Sequence, residues 1–278
     1  MSTMFACPLC GSALLREERR LFCRKGHSFD VAREGYVNLL PVNRRRSKAP
    51  GDDGDMVRAR TRFLSGGWYE PLRTRLRTLV EESGISAPRL LDAGCGEGYY
   101  TAALSELVTA MGGRAAGVDL SKAAVKRAAR QCPGAEIAVA SVYHLPLADA
   151  RADLVVNCFS PLAAEEFRRV LRPGGYFLYV VPGARHLWEL KEILYDRPYE
   201  NPEKTEQYPG FRFLRAEPVE TSFTLKTPEE IQDLFHMTPY TWKTPRDGVR
   251  RLAGCHELTV TAQFRIHIFR REGERRDP

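Results

Sequence analysis

The amino-acid sequence predicts an α/β protein with a doubly wound parallel sheet and a small metal-binding module at its N-terminal end. Three observations predict this fold class. Beyond residue 88, short apolar segments alternate with helical segments of roughly 10 to 15 residues, as in βαβ units. A glycine-rich loop, residues 92–98, directly follows the first apolar segment. Three cysteines and a histidine lie within residues 7–27. A chain of 278 residues is long enough for one large domain with such an appendage.

Composition divides the chain into three parts. Residues 1–40 contain paired cysteines and few long apolar segments, the profile of a small zinc-binding module. Residues 41–56 combine charge, proline and glycine, which indicates a basic linker or arm. Residues 57–278 form the main domain, in which a polar segment, 184–217, predicts an insertion over the ligand-binding edge of the sheet. The cations of the arm are Arg44, Arg45, Arg46 and Lys48.

The elements of the main domain follow the alternating pattern in order. A helical pattern starts near residue 57 and is broken by the segment GGWYEP. The expected strands are 89–94, 115–120, 137–142, 154–159 and 176–181. The expected helices between them are 99–111, 122–131 and 162–171. Beyond the insertion, a helix with a capping box formed by Thr227 and Glu230 precedes a final alternating strand. Right-handed crossovers then give one sheet with helices on both faces.

Charge and cysteine content restrict the classes of function. The formal net charge is +7, and residues 1–48 hold ten Lys or Arg against four Asp or Glu, so an anionic partner would meet this end. Seven cysteines are an odd number, and the first residues lack a basic leader with an apolar run, so no disulfide framework is expected. No stretch approaches the roughly 18 apolar residues of a membrane helix. We therefore expect a cytoplasmic protein without a membrane partner.

The N-terminal cysteines have the spacing of a zinc site. Cys7 and Cys10 form a CxxC pair, and Cys23 and His27 complete a set of four ligands. A CxxC turn places two thiolates on one metal ion, and zinc prefers four such ligands in a tetrahedron. The alternative is a group of buried free cysteines. Because protein side chains fill all four positions, we expect one structural Zn²⁺ rather than a catalytic one.

The glycine-rich loop predicts a cofactor site with an unusual charge. Gly94, Gly96 and Gly98 lie between a strand and the start of the next helix. Glycines there let the backbone approach a ligand, and the N–H groups at the start of the helix can donate hydrogen bonds to it. Asp92 precedes these glycines and Glu97 lies between them. The two carboxylates would repel a pyrophosphate, so the loop favours a cationic cofactor over a dinucleotide.

Asp119, at the end of the second strand, is a further candidate for binding the cofactor. An acid at the end of that strand can accept hydrogen bonds from both hydroxyls of a ribose. The alternative is that Asp119 only caps the helix that starts near Lys122. Together with the acidic glycine loop and the later LRPGG turn, the pattern resembles the class I S-adenosylmethionine-dependent methyltransferases, which have a Rossmann-like sheet.

Two further polar segments lie where the sheet would present a substrate. His144 follows the third strand, and the segment NCFSP, residues 157–161, ends the fourth. Both belong to the carboxyl edge, where ligands of such sheets bind. His144 is a candidate general base, but no spacing singles it out, and the base stays unassigned. Either segment could equally be an ordinary loop or strand end.

A more specific resemblance covers nearly the whole chain. The zinc ligands are followed by FDVAREGYVNLLP, SKAPGDDGDMVRARTRFLSGGWYEPL, LDAGCGEGYYT, PGARHLWELK and MTPYTW. This combination resembles the bacterial 23S rRNA guanine-N1 methyltransferases, which modify a guanine in the loop of hairpin 35. The resemblance implies that S-adenosylmethionine is the cofactor and that hairpin 35 of 23S rRNA is the partner. The basic zinc module and the arm would then hold phosphates of the RNA, and the alternative for the arm is a solvated linker. It leaves open whether the chain forms a homodimer.

The resemblance also implies which residues contact the cofactor and which guanines are candidate targets. It places contacts on Tyr69, Gly96, Glu97 and His186, of which residue spacing alone would predict neither Tyr69 nor His186. The family modifies guanine 748 or guanine 745, and one group is linked to macrolide resistance. The insertion segment EILYDRPYENPEK resembles that of members from Gram-positive bacteria, and this resemblance favours 748. The alternatives are a small-molecule methyltransferase with a zinc ornament and a zinc RNA-binding adaptor whose methyltransferase core is inactive.

Overall fold

The computed structural model describes residues 2–42, 51–203 and 207–273. The four cations expected in the arm lie outside these residues. The helices are α1 (Gly54–Ser65), α2 (Glu70–Glu82), α3 (Tyr99–Ala110), α4 (Lys122–Gln131), α5 (Ala164–Val170), α6 (Trp188–Leu194), α7 (Pro228–His236) and α8 (Arg246–Ala253). The strands are β1 (Ser2–Ala6), β2 (Ala13–Glu17), β3 (Arg20–Phe22), β4 (Ser28–Asp30), β5 (Val37–Asn38), β6 (Arg89–Ala93), β7 (Arg114–Asp119), β8 (Ala135–Val139), β9 (Ala152–Cys158), β10 (Leu171–Pro182), β11 (Phe211–Leu225) and β12 (Leu258–Arg271).

The predicted sheet is confirmed and has eight strands within the described residues. Their order is β11-β12-β10-β9-β6-β7-β8-β5. The pairs from β5 to β10 are parallel, whereas β12 pairs antiparallel with both of its neighbours. The chain moves from β6 to one side of the sheet, through β7 and β8, and later returns to the other side through β9 and β10. The carboxyl ends of β6 and β9 therefore flank the point where ligands of doubly wound sheets bind.

Neighbouring residues of the central strands pack into different cores. Leu90 of β6 belongs to the core that also contains Leu104 of α3. Leu91, which points to the opposite face, belongs to the core that contains Phe167 of α5 and Leu14 of β2. This separation follows from the alternation of side chains along a strand. The N-terminal module and α5 therefore cover the face of the sheet opposite to α3.

The N-terminal module is a four-stranded antiparallel sheet, β1-β2-β3-β4, that is attached to the main sheet by hydrogen bonds. The Met4 N–H donates to Glu136 Oε2 over 2.9 Å, and the Ala6 N–H donates to the Pro146 carbonyl over 2.7 Å. The chain then contributes β5, which pairs in parallel with β8. Residues that the sequence assigns to the module thus form one edge of the main sheet.

The predicted insertion is shorter than expected at its C-terminal end. The segment was expected to run through residue 217, but β11 begins at Phe211 and pairs with β12 along its whole length. The sequence of residues 211–217 is polar because β11 is an edge strand whose side chains are largely half-buried or exposed. Pro218 is tolerated there, since an edge strand has unpaired N–H positions. Within the described ranges, every helix is too short or too polar to traverse a lipid bilayer.

Candidate cofactor site and zinc ribbon

The glycine-rich loop turns sharply at the carboxyl end of β6. Gly94, Gly96 and Gly98 have φ angles of +93°, +55° and +96°, a region that favours glycine. The N–H groups of Gly94 and Cys95 both donate to the Val118 carbonyl, over 2.8 and 3.0 Å. The loop is therefore held against the end of β7, and it leads directly into α3.

We expect Gly98→Ala to destabilise the protein more than an ordinary glycine substitution. A Cβ at Gly98 would lie 2.9 Å from Ala128 Cα and 2.8 Å from Cys132 Sγ, so the loop and α4 would have to separate. Such overpacking costs about 1–3 kcal/mol. Gly84→Ala is the control, because Gly84 also has a positive φ, +66°, but no atom lies within 4 Å of its added Cβ. Thermal unfolding should give a melting temperature several degrees lower for Gly98→Ala than for Gly84→Ala. Equal decreases in melting temperature for the two variants would contradict the described packing of Gly98 against α4.

Two buried carboxylates at this loop have oxygen atoms without hydrogen-bond partners in the described part of the chain. Asp92 Oδ2 accepts a bond from the Thr101 hydroxyl over 2.6 Å, whereas Asp92 Oδ1 has no partner among the described residues. Burial raises the pKa of Asp92 to about 7. Glu97 Oε2 also accepts no hydrogen bond from the residues that the structure describes, and burial raises the pKa of Glu97 although Arg60 opposes the shift. Unpaired buried acceptors are costly to a protein and favour a cationic or hydrogen-donating ligand.

Asp119 organises the loop and does not cap α4. Its Oδ2 accepts the Gly96 N–H over 3.1 Å, and its Oδ1 accepts the Ser121 N–H over 2.7 Å. The N-cap of α4 is Ser121, whose hydroxyl accepts the Ala124 N–H. Burial raises the pKa of Asp119. The carboxylate is thus fixed beside the glycine loop, as a ribose-binding acid would need to be.

A segment before α1 covers this carboxyl edge. The Ser121 hydroxyl donates to the Asp52 carbonyl over 2.7 Å, and Arg60 Nη2 lies 2.5 Å from Asp52 Oδ2. Arg60 Nη1 also lies 3.7 Å from Glu97 Oε2. The spacing of Asp52 and Arg60 in the sequence does not mark them as site residues. Arg60 is one of several arginines in a helical segment, and only the fold places it beside the loop.

Tyr69 and His186, which the resemblance implied, lie close together in an aromatic cluster. Their ring centroids are 6.3 Å apart, and both rings contact Phe264. Burial lowers the pKa of His186 to about 4, so the imidazole is neutral. His186 Nδ1 lies 2.7 Å from the Gln263 carbonyl, which can only accept, so Nδ1 carries the proton and Nε2 is left as an acceptor. The Tyr69 hydroxyl has no partner among the described residues.

The strand end NCFSP forms another wall of the same region. Asn157 Nδ2 donates to the Ala93 carbonyl over 2.7 Å, which fixes the amide and leaves Oδ1 buried without a described partner. Phe159 has a φ of +54° and is 44% exposed, an unusual conformation for an aromatic residue. Its ring lies 6.5 Å from that of Tyr100, whose hydroxyl is also unpaired among the described residues. Tyr100 was not predicted, because nothing in its spacing distinguishes it from a packing residue.

His144 is not part of this group of unpaired atoms. It is exposed, and its N–H donates to the Ser141 carbonyl over 3.1 Å in a tight turn. We assign no proton-transfer role to His144.

The four N-terminal ligands converge as a zinc site requires. Their donor atoms all lie within 4.8 Å of one another. His27 Nδ1 is 3.5 Å from the sulfurs of both Cys7 and Cys23, and the sulfurs of Cys10 and Cys23 are 3.7 Å apart. A tetrahedron with Zn–S near 2.3 Å and Zn–N near 2.0 Å has edges of about 3.5 to 3.8 Å. The donor set and its geometry therefore fit one structural zinc ion rather than a group of unrelated cysteines.

Comparison with known proteins identifies the family. The zinc-ribbon family model described as "RlmA, N-terminal" matches residues 5–48, and the model described as "Methyltransferase domain" matches residues 91–179. These matches confirm the expected fold class, S-adenosylmethionine as the cofactor and the structural zinc. A "23S rRNA (guanine(748)-N(1))-methyltransferase" of Streptomyces fradiae is 39% identical over 271 residues, which cover 94% of this chain and 95% of that protein.

Two further relatives are similar over equally long segments. Proteins of Micromonospora griseorubida and Bacillus subtilis (strain 168), provisionally named 23S rRNA (guanine-N(1)-)-methyltransferases, are 37% and 33% identical. The alignments cover 95% and 96% of this chain and 96% of each relative. With this identity over nearly its whole length, the chain belongs to the family of 23S rRNA (guanine-N1)-methyltransferases.

Proposed function

We propose that this protein transfers the methyl group of S-adenosylmethionine to N1 of guanine 748 in the loop of hairpin 35 of 23S rRNA. The observation that carries the proposal is the group of buried oxygens at the carboxyl edge of the sheet that have no hydrogen bond with a described residue, on Asp92, Glu97, Tyr69, Tyr100 and Asn157. The choice of guanine 748 over 745 is supported by the name of the Streptomyces fradiae relative and by the insertion. The zinc ribbon supports an RNA substrate over a metabolite.

The residues around the glycine loop would hold the cofactor. Asp119, fixed by the N–H groups of Gly96 and Ser121, would accept the ribose hydroxyls. Asp92 and Glu97 would face the positively charged part of the cofactor, and Gly94 and Gly98 would let the backbone approach it. Tyr69 and His186 would complete the site from the opposite side. The bound cofactor supplies a methyl group that is already activated by its sulfonium.

The other residues would position the guanine. N1 lies on the Watson–Crick edge, so the base must leave its stack to reach the site. Phe159, exposed at the end of β9, would stack on the base, and Asn157 Oδ1 would accept a hydrogen bond from its edge. Alignment of the reacting atoms supplies about 7–11 kcal/mol of barrier reduction. To accept the methyl group, N1 would also have to release its proton.

In this proposal, the three segments of the chain would have different functions. Residues 1–40 would recognise RNA, residues 41–56 would contact phosphates as a basic arm, and residues 57–278 would carry the reaction. The segment that begins at residue 184 would border the substrate. A homodimer would be consistent with the family resemblance, and light scattering of the purified protein would give its mass directly.

Asp92→Asn is expected to stabilise the free protein at neutral and alkaline pH and to weaken cofactor binding. The pKa of Asp92 rises from 3.8 to about 7 in the folded state, so folding favours the protonated carboxyl. Wild-type stability is therefore lost as pH rises between these values, and the asparagine variant avoids that loss. The melting temperature of the variant should rise relative to that of wild type as pH increases from below 4 to about 7, and the difference should change little at higher pH. A difference that does not change with pH would contradict the assigned shift.

Reverse transcription of treated RNA tests the proposed position. A methyl group on N1 blocks base pairing, so it stops reverse transcriptase at the modified guanine. Purified protein, S-adenosylmethionine and protein-free 23S rRNA should give a cofactor-dependent stop at guanine 748. A stop at guanine 745 would correct the position while preserving the reaction. No stop anywhere, with cofactor still bound, would favour a small-molecule methyltransferase or an inactive RNA-binding adaptor.

A further inference from the structure

A groove between α1 and α4 concentrates positive charge outside the cofactor site. Its volume is about 360 Å³. Four of its eight lining residues are cations, and none is acidic. Gly54 and Ala123 are among the other lining residues, so small side chains let a ligand come close to the helix backbones. The cationic residues are Arg58, Lys126, Arg127 and Arg130.

The charge of α4 is unusual for an ordinary solvated helix. Its buried residues are Ala124, Val125 and Ala128, and its remaining positions include four Lys or Arg but no Asp or Glu. Exposed helices commonly alternate charges of opposite sign three or four residues apart, which stabilises them. α4 lacks this compensation within itself. Its positive face is therefore available to an anion.

Nearby acids orient the cations but do not neutralise them. Glu34 of the N-terminal module lies 3.1 Å from Lys126 Nζ and 3.2 Å from Arg130 Nη2, so one carboxylate serves two cations. The hydrogen bond from Lys126 lowers the pKa of Glu34, which keeps it charged. Arg58 pairs with Asp55. Arg127 has no ion pair with any of the residues that the structure describes. Among the described residues, the groove thus keeps an excess of two positive charges.

The groove connects the zinc ribbon to the cofactor edge. Glu34 lies beyond the last strand of the ribbon, and its ion pairs bring the N-terminal module against α4. On the other side, the groove is lined by Gly54, two residues after Asp52, whose carbonyl accepts the Ser121 hydroxyl at the carboxyl edge. An extended anion in the groove would therefore run from the zinc ribbon towards the segment that covers the cofactor site.

We propose that this groove binds phosphates of the RNA backbone next to the target hairpin. The inference rests on the proposed function for the identity of the RNA. Guanidinium groups hold phosphate oxygens in pairs, and Arg127 is free to do so without breaking a described contact. Phosphate contacts position an RNA without reading its bases, so the groove sets affinity and register while the site at β9 selects the guanine.

The test compares two triple variants in binding to a 23S rRNA fragment that contains hairpin 35. Arg58→Gln, Lys126→Gln and Arg127→Gln remove three charges from the groove. Each released phosphate contact changes the dependence of log affinity on log salt by about 0.7–0.9, so the slope should decrease by about 2. Affinity at low salt should fall at least tenfold, whereas affinity for S-adenosylmethionine should stay within twofold of wild type.

The control removes the same charge from α2 and from the antiparallel strands β11 and β12. It combines Arg77→Gln, Arg212→Gln and Arg270→Gln, and its salt slope should match that of wild type. The single variant Arg127→Gln, which breaks no described ion pair, guards against a folding defect and should lower the slope by about 0.7–0.9. Wild-type slopes in both groove variants, or no binding of the fragment by wild type, would overturn the groove proposal.

The two proposals fail in different ways. Groove-dependent binding of the fragment without formation of methylated guanine would refute the proposed reaction and leave the groove as an RNA site. Methylation of 23S rRNA by a groove triple variant with wild-type affinity and wild-type salt slope would refute the groove and leave the reaction.

Discussion

Asp119→Ala should weaken binding of S-adenosylmethionine by at least two orders of magnitude. In our proposal the carboxylate accepts two hydroxyl groups of the cofactor, and each hydrogen bond to a charged group contributes about 1.5–3 kcal/mol. A loss of roughly 3 kcal/mol or more corresponds to a factor of over a hundred in the dissociation constant. The substitution also removes the acceptor for the N–H groups of Gly96 and Ser121, so the glycine loop loses its support.

Isothermal titration of the variant with cofactor measures this effect. Asp247→Ala is a suitable control, because that carboxylate is an exposed acid of α8. Asp119→Asn keeps the size of the side chain but removes the charge, so it should bind cofactor more weakly than wild type and more tightly than the alanine variant. An affinity of Asp119→Ala within threefold of wild type would show that Asp119 does not hold the ribose.

Cys23→Ser should abolish zinc binding and methylation of RNA. The thiolate is one of four ligands, and three remaining ligands bind a structural zinc far more weakly. Structural zinc contributes about 10–16 kcal/mol to the folding of small zinc domains, so the ribbon should lose its structure. Because Leu14 of the ribbon packs in the same core as Leu91 of the main sheet, the melting temperature of the whole protein should fall as well.

Zinc content, cofactor binding and hydrogen exchange separate a local effect from general unfolding. Cys255→Ser is the matched control, since Cys255 lies outside the ribbon and should leave one zinc per chain. In Cys23→Ser, hydrogen exchange should increase mainly in residues 2–42, while the glycine loop still binds cofactor. Retention of stoichiometric zinc by Cys23→Ser would contradict the assigned ligand set.

The sequence predicted those features that depend on local spacing. Strand β6, the glycines that follow it and Asp119 at the end of β7 are close along the chain, and their pattern reports a parallel sheet with a ligand at its edge. The zinc ligands could be predicted for the same reason. They are close along the chain, and a CxxC pair followed by a cysteine and a histidine is typical of a zinc site. The capping box of α7 formed as expected, with Thr227 and Glu230 bonded to each other's backbone.

Features that depend on tertiary contacts could not be predicted in this way. Arg60 contacts Glu97 only because α1 crosses the carboxyl edge, and the sequence gives no sign of that crossing. β5 has only two residues and becomes a strand because β8 offers it an unpaired edge. The length of β11 was hidden by its polar edge position. Tyr69 and His186 were suggested by the family resemblance alone. Without it, Tyr69 would be interpreted as an aromatic residue of the core and His186 as a histidine on the surface.

Analysis of nucleosides by mass spectrometry tests the central claim most directly. Protein-free 23S rRNA would be incubated with the protein and S-adenosylmethionine carrying a deuterated methyl group, then digested to nucleosides. We predict labelled 1-methylguanosine, close to one per rRNA molecule, with wild-type protein and very little with Asp119→Ala. Absence of labelled 1-methylguanosine with a wild-type protein that binds cofactor, or label found only on another nucleoside, would contradict the account.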